Sequence, residues 1–359
     1  MKGLANARLL VTGGAGFIGQ NLVHHLTAVA PDAHIVILDA LTYAANPTSL
    51  QPLEQAGRIN LVKGDITDLE ALAVLFATHR FDYVAHLAAE SHVDRSITEP
   101  DAFIQTNIVG TYNLLKTALA DWSQRGLLDS ARFLHVSTDE VFGDLDSNEA
   151  PFREDTPYEP SSPYSASKAA SDHLVRAFCR TYGLPVLVTN CSNNYGPYQH
   201  PEKLIPLMIT HALTGKNLPV YGDGLNIRDW LYVGDHCRAL TAVLERGAVG
   251  ATYNIGGNSE RTNLEVVQAI CAIIDAAFRS ETVLATRYPH SPAARGQSCS
   301  TLITQVADRL GHDRRYAIDS SFIREALGVS PTESFETGLA RTVRWYMDNE
   351  FWWRGVGLA

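Results

Sequence analysis

Between a β-rich run, Arg8 to Thr12, and an amphipathic stretch, Asn21 to Val29, lies the segment Val11-Thr12-Gly13-Gly14-Ala15-Gly16-Phe17-Ile18-Gly19. Three glycines at three-residue spacing, directly after a strand and at the opening of a helix, leave few folds available. Gly13 permits a tight turn, Gly16 lets backbone amides approach a bound group closely, and Gly19 lets helix and strand pack against each other. The helix start adds unpaired N–H groups and partial positive charge, with Phe17 and Ile18 in its first turn. Such a turn is built to hold a pyrophosphate.

The rest of the first half repeats the theme. Short apolar runs at His34–Asp39, Asn60–Lys63, Tyr83–Leu87, Arg132–Ser137 and Pro185–Thr189 alternate with helical patterns such as Asn107–Trp122 and Ser165–Tyr182. Strands alternating with helices predict an α/β chain, a Rossmann-like doubly wound parallel sheet. Beyond about residue 192 turn-rich pieces interrupt the pattern, Asn193-Asn194-Tyr195-Gly196-Pro197 and Tyr221-Gly222-Asp223-Gly224 among them. Helical runs at Asn263–Ala276 and Phe335–Asn349 suggest a smaller, mixed α/β C-terminal lobe that holds the substrate. We expect residues 1–192 to form the dinucleotide domain, a segment near 225–258 to return to it, and 193–359 to supply most of the second lobe. Ser291 to Ser300, rich in Pro, Ala, Gly and Ser, reads as an exposed loop.

Charge and cysteines narrow the classes further. A formal net charge of -10 argues against a nucleic-acid partner, which needs clustered Lys and Arg to neutralise phosphates. No basic, apolar and small-residue series near Met1 marks a signal peptide, and no apolar run is long enough to span a bilayer, so a cytoplasmic chain without a membrane partner is expected. Cys179, Cys191, Cys237, Cys271 and Cys299 are scattered, with neither disulfide nor metal-ligand spacing, so no metal is expected.

Asp39 closes its strand 20 residues after Gly19, where a carboxylate can accept bonds from ribose hydroxyls and repel a 2′-phosphate. The expected cofactor is therefore NAD in preference to NADP. Farther on, Tyr164 and Lys168 stand four apart on a predicted helix and so share a face. A tyrosine of ordinary pKa near 10 needs about 4 kcal/mol of preferential phenolate stabilisation to act as a base at neutral pH. The Lys168 ammonium and a cationic nicotinamide can provide it. Together with Gly-x-x-Gly-x-x-Gly, the Tyr-x-x-x-Lys pair resembles the extended short-chain dehydrogenase/reductase family. That resemblance implies that Asp65 and Ile66 lie near adenine, with Leu87, Ala88, Ala89 and Ser91 under the cofactor and Thr106 close by.

The discriminating residues are Asp139 and Glu140, which follow Ser137 and Thr138. Adjacent carboxyl groups at the C-terminal end of a strand offer an acid and a base, provided their surroundings push the two pKa values apart. Elimination of water requires both. With Thr138-Asp139-Glu140, Tyr164 and Lys168 in place, the chain resembles the dTDP-glucose 4,6-dehydratase family. The resemblance runs through Asp39-Ala-Leu-Thr-Tyr43, His86-Leu-Ala-Ala-Glu-Ser-His-Val-Asp-Arg95, Asn190-Cys-Ser-Asn-Asn-Tyr-Gly-Pro197, Pro201-Glu-Lys-Leu-Ile-Pro206, Ile227-Arg-Asp-Trp-Leu-Tyr232 and Gly311-His-Asp-Arg-Arg-Tyr316.

It implies that Leu41, Thr42 and Asn194 meet the cofactor. It places Glu90, Thr138, Asn193, Lys203, Leu204, Pro219, Val220, Tyr221, Arg228, Asn254, Asp308, Arg309 and His312 toward a nucleotide sugar, with Lys203 and Arg228 suited to its diphosphate. The catalytic set implied is Thr138, Asp139, Glu140, Tyr164 and Lys168. The reaction implied is oxidation at C4, loss of water across C5 and C6, and hydride return to C6, in deoxysugar biosynthesis such as the route to dTDP-rhamnose. A homodimer through the helices at Asn107–Trp122 and Ser165–Tyr182 is implied as well. Phe142 in place of a usual tyrosine, Leu310 in place of a usual proline, and the 291–300 loop depart from the family pattern. A dehydratase for another nucleotide sugar such as UDP-glucose, a 4-epimerase, or a non-catalytic NAD-binding scaffold remain the alternatives.

Overall fold

The computed structural model describes residues 3–308 and 311–355. Twelve strands are present among them: β1 (Arg8–Thr12), β2 (His34–Asp39), β3 (Ile59–Lys63), β4 (Tyr83–His86), β5 (Arg132–Thr138), β6 (Val186–Cys191), β7 (Asn193–Tyr195), β8 (Leu218–Tyr221), β9 (Ile227–Tyr232), β10 (Thr252–Ile255), β11 (Glu260–Thr262) and β12 (Ile303–Val306). Seven form a parallel sheet in the order β10-β6-β5-β4-β1-β2-β3. The chain builds outward from β1 to β3, then restarts with β4 on the other side of β1. At that switch the loops leaving β1 and β4 part and open a crevice at the C-terminal strand ends, where open α/β sheets take their ligands.

Helices cover both faces of this sheet, and the two-residue side-chain period shows which strand residue meets which layer. Leu9, Val11, Ile35, Ile37, Leu134 and Val136 pack beneath the helices Phe17–Val29 and Val233–Arg246. Leu10, Val36, Leu38, Val84, Phe133 and Val186 point to the other side, against the helices Leu69–His79, Thr111–Arg125 and Pro163–Tyr182. Both faces being dry, the strands read as continuous apolar runs. Burial of each such side chain contributes about 1.5–3 kcal/mol.

The second lobe holds two small sheets, β11-β9-β7 and β12-β8, over a separate core of Ile209, Leu213, Ile270, Ile274, Leu339 and Val343. The chain crosses between lobes repeatedly. β9 belongs to the small sheet, whereas the next helix, Val233–Arg246, and β10 join the large one. Isolated bridges from Phe152 to Ile318 and from Ile227 to Arg315 tie the residues near 315 back across both lobes.

The sequence expectations differ from the structure mainly at element ends. β6 continues through Asn190 and Cys191 because their backbones stay paired with β5 and β10 although the apolar run has ended. Leu87 falls just outside β4. The expected helix at Asn107 is entered through a π turn, Ile104–Gly110, and becomes regular only at Thr111. Residues 291–300 are not an exposed loop throughout: Ser291 and Cys299 are fully buried, and the Ser298 hydroxyl and Cys299 N–H donate to Asp275. Small residues there allow close packing on the helix Asn263–Ser280.

Candidate active site

The crevice is a cleft of about 350 Å³. The glycine loop forms one wall. Gly13 has φ +70°, and a Cβ there would fall 2.6 Å from the Ala88 nitrogen; at Gly19 it would fall 2.1 Å from the Gly13 carbonyl oxygen. Both positions therefore exclude any side chain, and the backbone that remains is free to approach a ligand. Asp39 is buried beside the loop, its carboxylate accepting from the Ala15 N–H at 2.9 Å and the Leu41 N–H at 2.8 Å. Burial raises its pKa, and those two amides oppose the rise.

Of the residues assigned to the cofactor, Gly13, Gly16, Phe17, Ile18, Gly19, Asp39, Thr42, Asp65, Ile66, Leu87, Ala88, Ala89, Ser91, Thr106 and Asn194 all line this cleft. Leu41 does not; it has φ +54° and packs on the core beneath the sheet.

The far end of the cleft carries the titratable groups. β5 ends at Thr138, whose side chain caps a single 3-10 turn, Asp139–Phe142, by accepting from the Glu140 N–H at 3.3 Å. That turn presents the two carboxyl groups differently: Asp139 is 1% exposed and Glu140 is half-buried. Burial, then the charges of Glu140 and Asp229, hold the Asp139 pKa well above the usual carboxylate range, against the opposing Arg228. That environment favours the protonated, neutral carboxyl of Asp139 over its ionised form.

Tyr164 enters from the helix Pro163–Tyr182. A capping box between Ser162 and Ser165, with Pro163 in the first turn, fixes where that helix starts. Burial and then Glu140 push the Tyr164 phenol well above its ordinary pKa, while a bond with the Thr138 side chain works to lower it. One turn on, the Lys168 ammonium donates to the Val136 carbonyl at 2.9 Å. Its pKa is lowered by burial and supported by Asp172 and Cys191. The raised phenol holds its proton more tightly than an exposed tyrosine, so positive charge close to it is what would favour the phenolate.

Glu90, Asn193 and Lys203 line the same cleft. Leu204 follows Lys203 at the start of the next helix. Arg228 does not line the cleft: it is 5% exposed, donates to the Ile227 and Asp313 carbonyls at 2.7 and 2.9 Å, and stacks over the Tyr316 ring at 4.3 Å. Pro219, Val220 and Tyr221 form β8 in the second lobe. There the Tyr221 ring meets the His312 ring edge-on, and His312 bonds Asp308 at 2.6 Å. Arg309 and Leu310 lie outside the described residues. Asn254 does not line the cleft; it is fully buried in β10, its side-chain N–H₂ donating to the Phe152 carbonyl at 3.0 Å. Phe142 stacks on Phe152 and meets Tyr158 edge-on, both at 5.1 Å, so it is a packing residue.

Other residues near the centre escaped the sequence analysis. Cys191 and Gln199 line the cleft. His236 holds Asn194 in place through an Nδ1 to Oδ1 contact of 2.9 Å; burial pushes its pKa down to about 3, so the ring is neutral. Cys191 stands inside a quoted motif, but His236 has no local signal, because it comes from a helix 42 residues later. Several buried polar atoms of the cleft, Ser137 Oγ, Asp139 Oδ2 and Asn193 Oδ1, have no protein partner. Orphaned groups at the end of a crevice are what a polar ligand satisfies.

Comparison with known proteins agrees with this arrangement. The family model described as GDP-mannose 4,6 dehydratase matches residues 10–342. The dTDP-glucose 4,6-dehydratase of Neisseria meningitidis serogroup B is 55% identical over 97% of this chain and 96% of its own length. The chain belongs to the dTDP-glucose 4,6-dehydratase family. A solved dTDP-glucose 4,6-dehydratase from Streptomyces venezuelae with NAD bound superposes with a TM-score of 0.85 at 45% identity, covering 97% of this chain and 99% of that one. The fold reaches beyond the dehydratases: a UDP-glucose 4-epimerase from Thermotoga maritima gives a TM-score of 0.80 at 27% identity, with 95% and 99% covered. Architecture is thus shared between proteins of the two chemistries.

Proposed function

We propose that the chain is an NAD-dependent hydro-lyase that converts dTDP-glucose to dTDP-4-keto-6-deoxyglucose. The observation that carries this reading is the pair at the end of β5: a buried carboxyl that keeps its proton beside a half-buried one, next to Tyr164. The glycine loop, Asp39 and the side chains under the loop after β4 would hold NAD, which when bound would accept the hydride leaving C4 and give it back at C6. Its nicotinamide charge would also favour the Tyr164 phenolate.

Tyr164 takes the proton of the C4 hydroxyl, with Thr138 bonding the phenolate as it forms and Lys168 placed one turn behind. A C5 proton is too weakly acidic to remove until C4 is a ketone, so this step comes first. Glu140 then removes the C5 proton, and Asp139 gives its own to the departing C6 hydroxyl; when the hydride comes back to C6, Glu140 returns the proton to C5. The roles follow from environment, because only a carboxyl that stays neutral can act as the acid. Lys203 and Arg228 are the cations for the diphosphate. Support comes from the NAD-bound relative and from the cleft atoms that have no protein partner.

Mixing the NAD-loaded protein with dTDP-glucose carrying deuterium at C4 tests the reading. The expected product is lighter by one water and carries the label at C6. An isomer of unchanged mass would instead indicate epimerisation, and turnover of UDP-glucose alone would correct the nucleotide.

We further place the enzyme in the cytoplasm, in deoxysugar biosynthesis, as a homodimer through the helices Thr111–Arg125 and Pro163–Tyr182. Tyr112 and Tyr182 stand 42% and 53% exposed on these helices. Sedimentation of the pure protein is expected to give twice the chain mass; the mass of a single chain would remove the dimer.

A further inference from the structure

The helix Pro163–Tyr182 carries a third titratable residue on the stripe of Tyr164 and Lys168. Asp172 follows Lys168 by four residues, so the two side chains are neighbours one turn apart. Asp172 is fully buried, behind the cleft and away from any ligand. An isolated carboxylate could not remain there. This one is surrounded by donors: His135 Nε2 lies 3.0 Å from Oδ1, and Oδ2 accepts from the Tyr158 hydroxyl at 2.8 Å and the Asn190 side chain at 3.4 Å. Arg176 completes the set by donating to the Tyr158 hydroxyl at 2.6 Å.

We propose that Asp172 is a positioning residue for the proton-transfer pair, a fixed buried carboxylate that keeps Lys168 in its ammonium form behind Tyr164. The proposal rests on the reading in which Tyr164 and Lys168 serve the oxidation step. Lys168 is itself buried and donates to the neutral Val136 carbonyl, so a countercharge is needed to keep it protonated.

Apart from the Arg176 guanidinium, a cation held at the Tyr158 hydroxyl, the other groups behind the cleft that face the pair carry no charge. His135 on β5 is pushed down to about 4, chiefly by burial and then by Lys168, so it gives Asp172 a neutral N–H. His86 on β4 is likewise held neutral by burial, between the Thr12 and Thr111 hydroxyls at 2.7 and 2.9 Å. Burial pushes the Cys191 thiol on β6 up to about 12, and Tyr158 is raised by burial and by Asp172 itself. Asp139 keeps its proton, and the Glu140 charge belongs to the cleft. Burial works to raise Asp172 as well, but its bonds with His135 and the Lys168 charge bring it below the usual carboxylate range. The negative charge behind Lys168 therefore sits on Asp172.

The test is the pH profile of the oxidation step, read as growth of the NADH absorbance on mixing the NAD-loaded protein with dTDP-glucose. Loss of the Lys168 proton ends activity at high pH. In Asp172→Asn that alkaline limb should move toward neutrality by about one pH unit or more, whereas Asp172→Glu, which keeps the charge, should return it. A limb that stays in place in Asp172→Asn, or that moves equally in both variants, overturns the proposal whatever rate is lost. Should Asp172→Asn fail to fold, nitrogen NMR of lysine-labelled wild-type protein, with Lys168→Arg for assignment, is expected to find Lys168 as ammonium near pH 8; a neutral amine there overturns it equally. Tyr164→Phe separates the two readings: if that variant still forms NADH at the wild-type rate, the role of the pair is wrong, and not Asp172 alone.

Discussion

Glutamine at position 140 is expected to leave NADH formation on mixing with dTDP-glucose intact while slowing release of the dehydrated product by about 10²- to 10⁴-fold, the usual contribution of a general base. The first step needs Tyr164, Lys168 and the cofactor; Glu140 enters only when the C5 proton must leave. Glutamine keeps the shape of the half-buried side chain and removes its basicity. The reduced cofactor should therefore accumulate instead of appearing transiently, as rapid-mixing absorbance would show. One more effect has a defined sign: Glu140 is the second cause holding the Tyr164 phenol high, so its neutralisation should let the oxidation step begin at lower pH than in the wild type. Normal product formation by this variant would remove Glu140 from the mechanism.

Asparagine at position 139 should impair the same chemical step, by about 10²-fold or more through loss of the acid, and yet make the protein more stable. Burial raises the pKa of Asp139 well above its ordinary value in the folded state, while the unfolded chain titrates near the ordinary value of about 4. Below that pH both states are protonated and the residue costs nothing. Above it the unfolded state ionises and the folded state does not. Stability is then lost progressively as pH rises toward the folded pKa. Asparagine cannot ionise, so its stabilising effect should be absent in acid and grow above about pH 4. Thermal unfolding of both proteins across pH measures this directly; equal melting temperatures at neutral pH would mean that Asp139 is ionised in the fold and cannot serve as the acid.

Opposite effects on activity and stability at one residue are what a strained functional site should show. Asp139 could be removed from water only because β5 ends deep in the crevice, and Thr138 turns the chain there into a short cap. The same burial that costs folding energy maintains the proton that the elimination consumes.

Much of this site was legible before the fold. Gly13, Gly16 and Gly19 carry their meaning locally, because a tight turn and a close approach exclude side chains whatever the surroundings. Tyr164 and Lys168 follow from the helical period, and Asp139 and Glu140 from adjacency. Strand ends were less legible: Asn190 and Cys191 continue β6 through backbone pairing, which side-chain polarity does not report. His236, which holds Asn194, could not be found locally, since its position depends on a helix returning from the second lobe to the large sheet. Leu41 and Asn254 show the converse. Each stands in or near a recognisable segment, but one turns to the core and the other to Phe152.

The sequence by itself determined the sheet type, the anion-binding turn and the residue types available for acid, base and proton transfer, because each depends on spacing along a few adjacent residues. Only the tertiary structure decided how differently the two carboxyl groups are buried, which charges surround Tyr164, and that Asp172 is buried one turn beyond Lys168. Those depend on how much water and which charges surround each group, and both are set when β4, β5, β6 and the helix Pro163–Tyr182 close around one buried space.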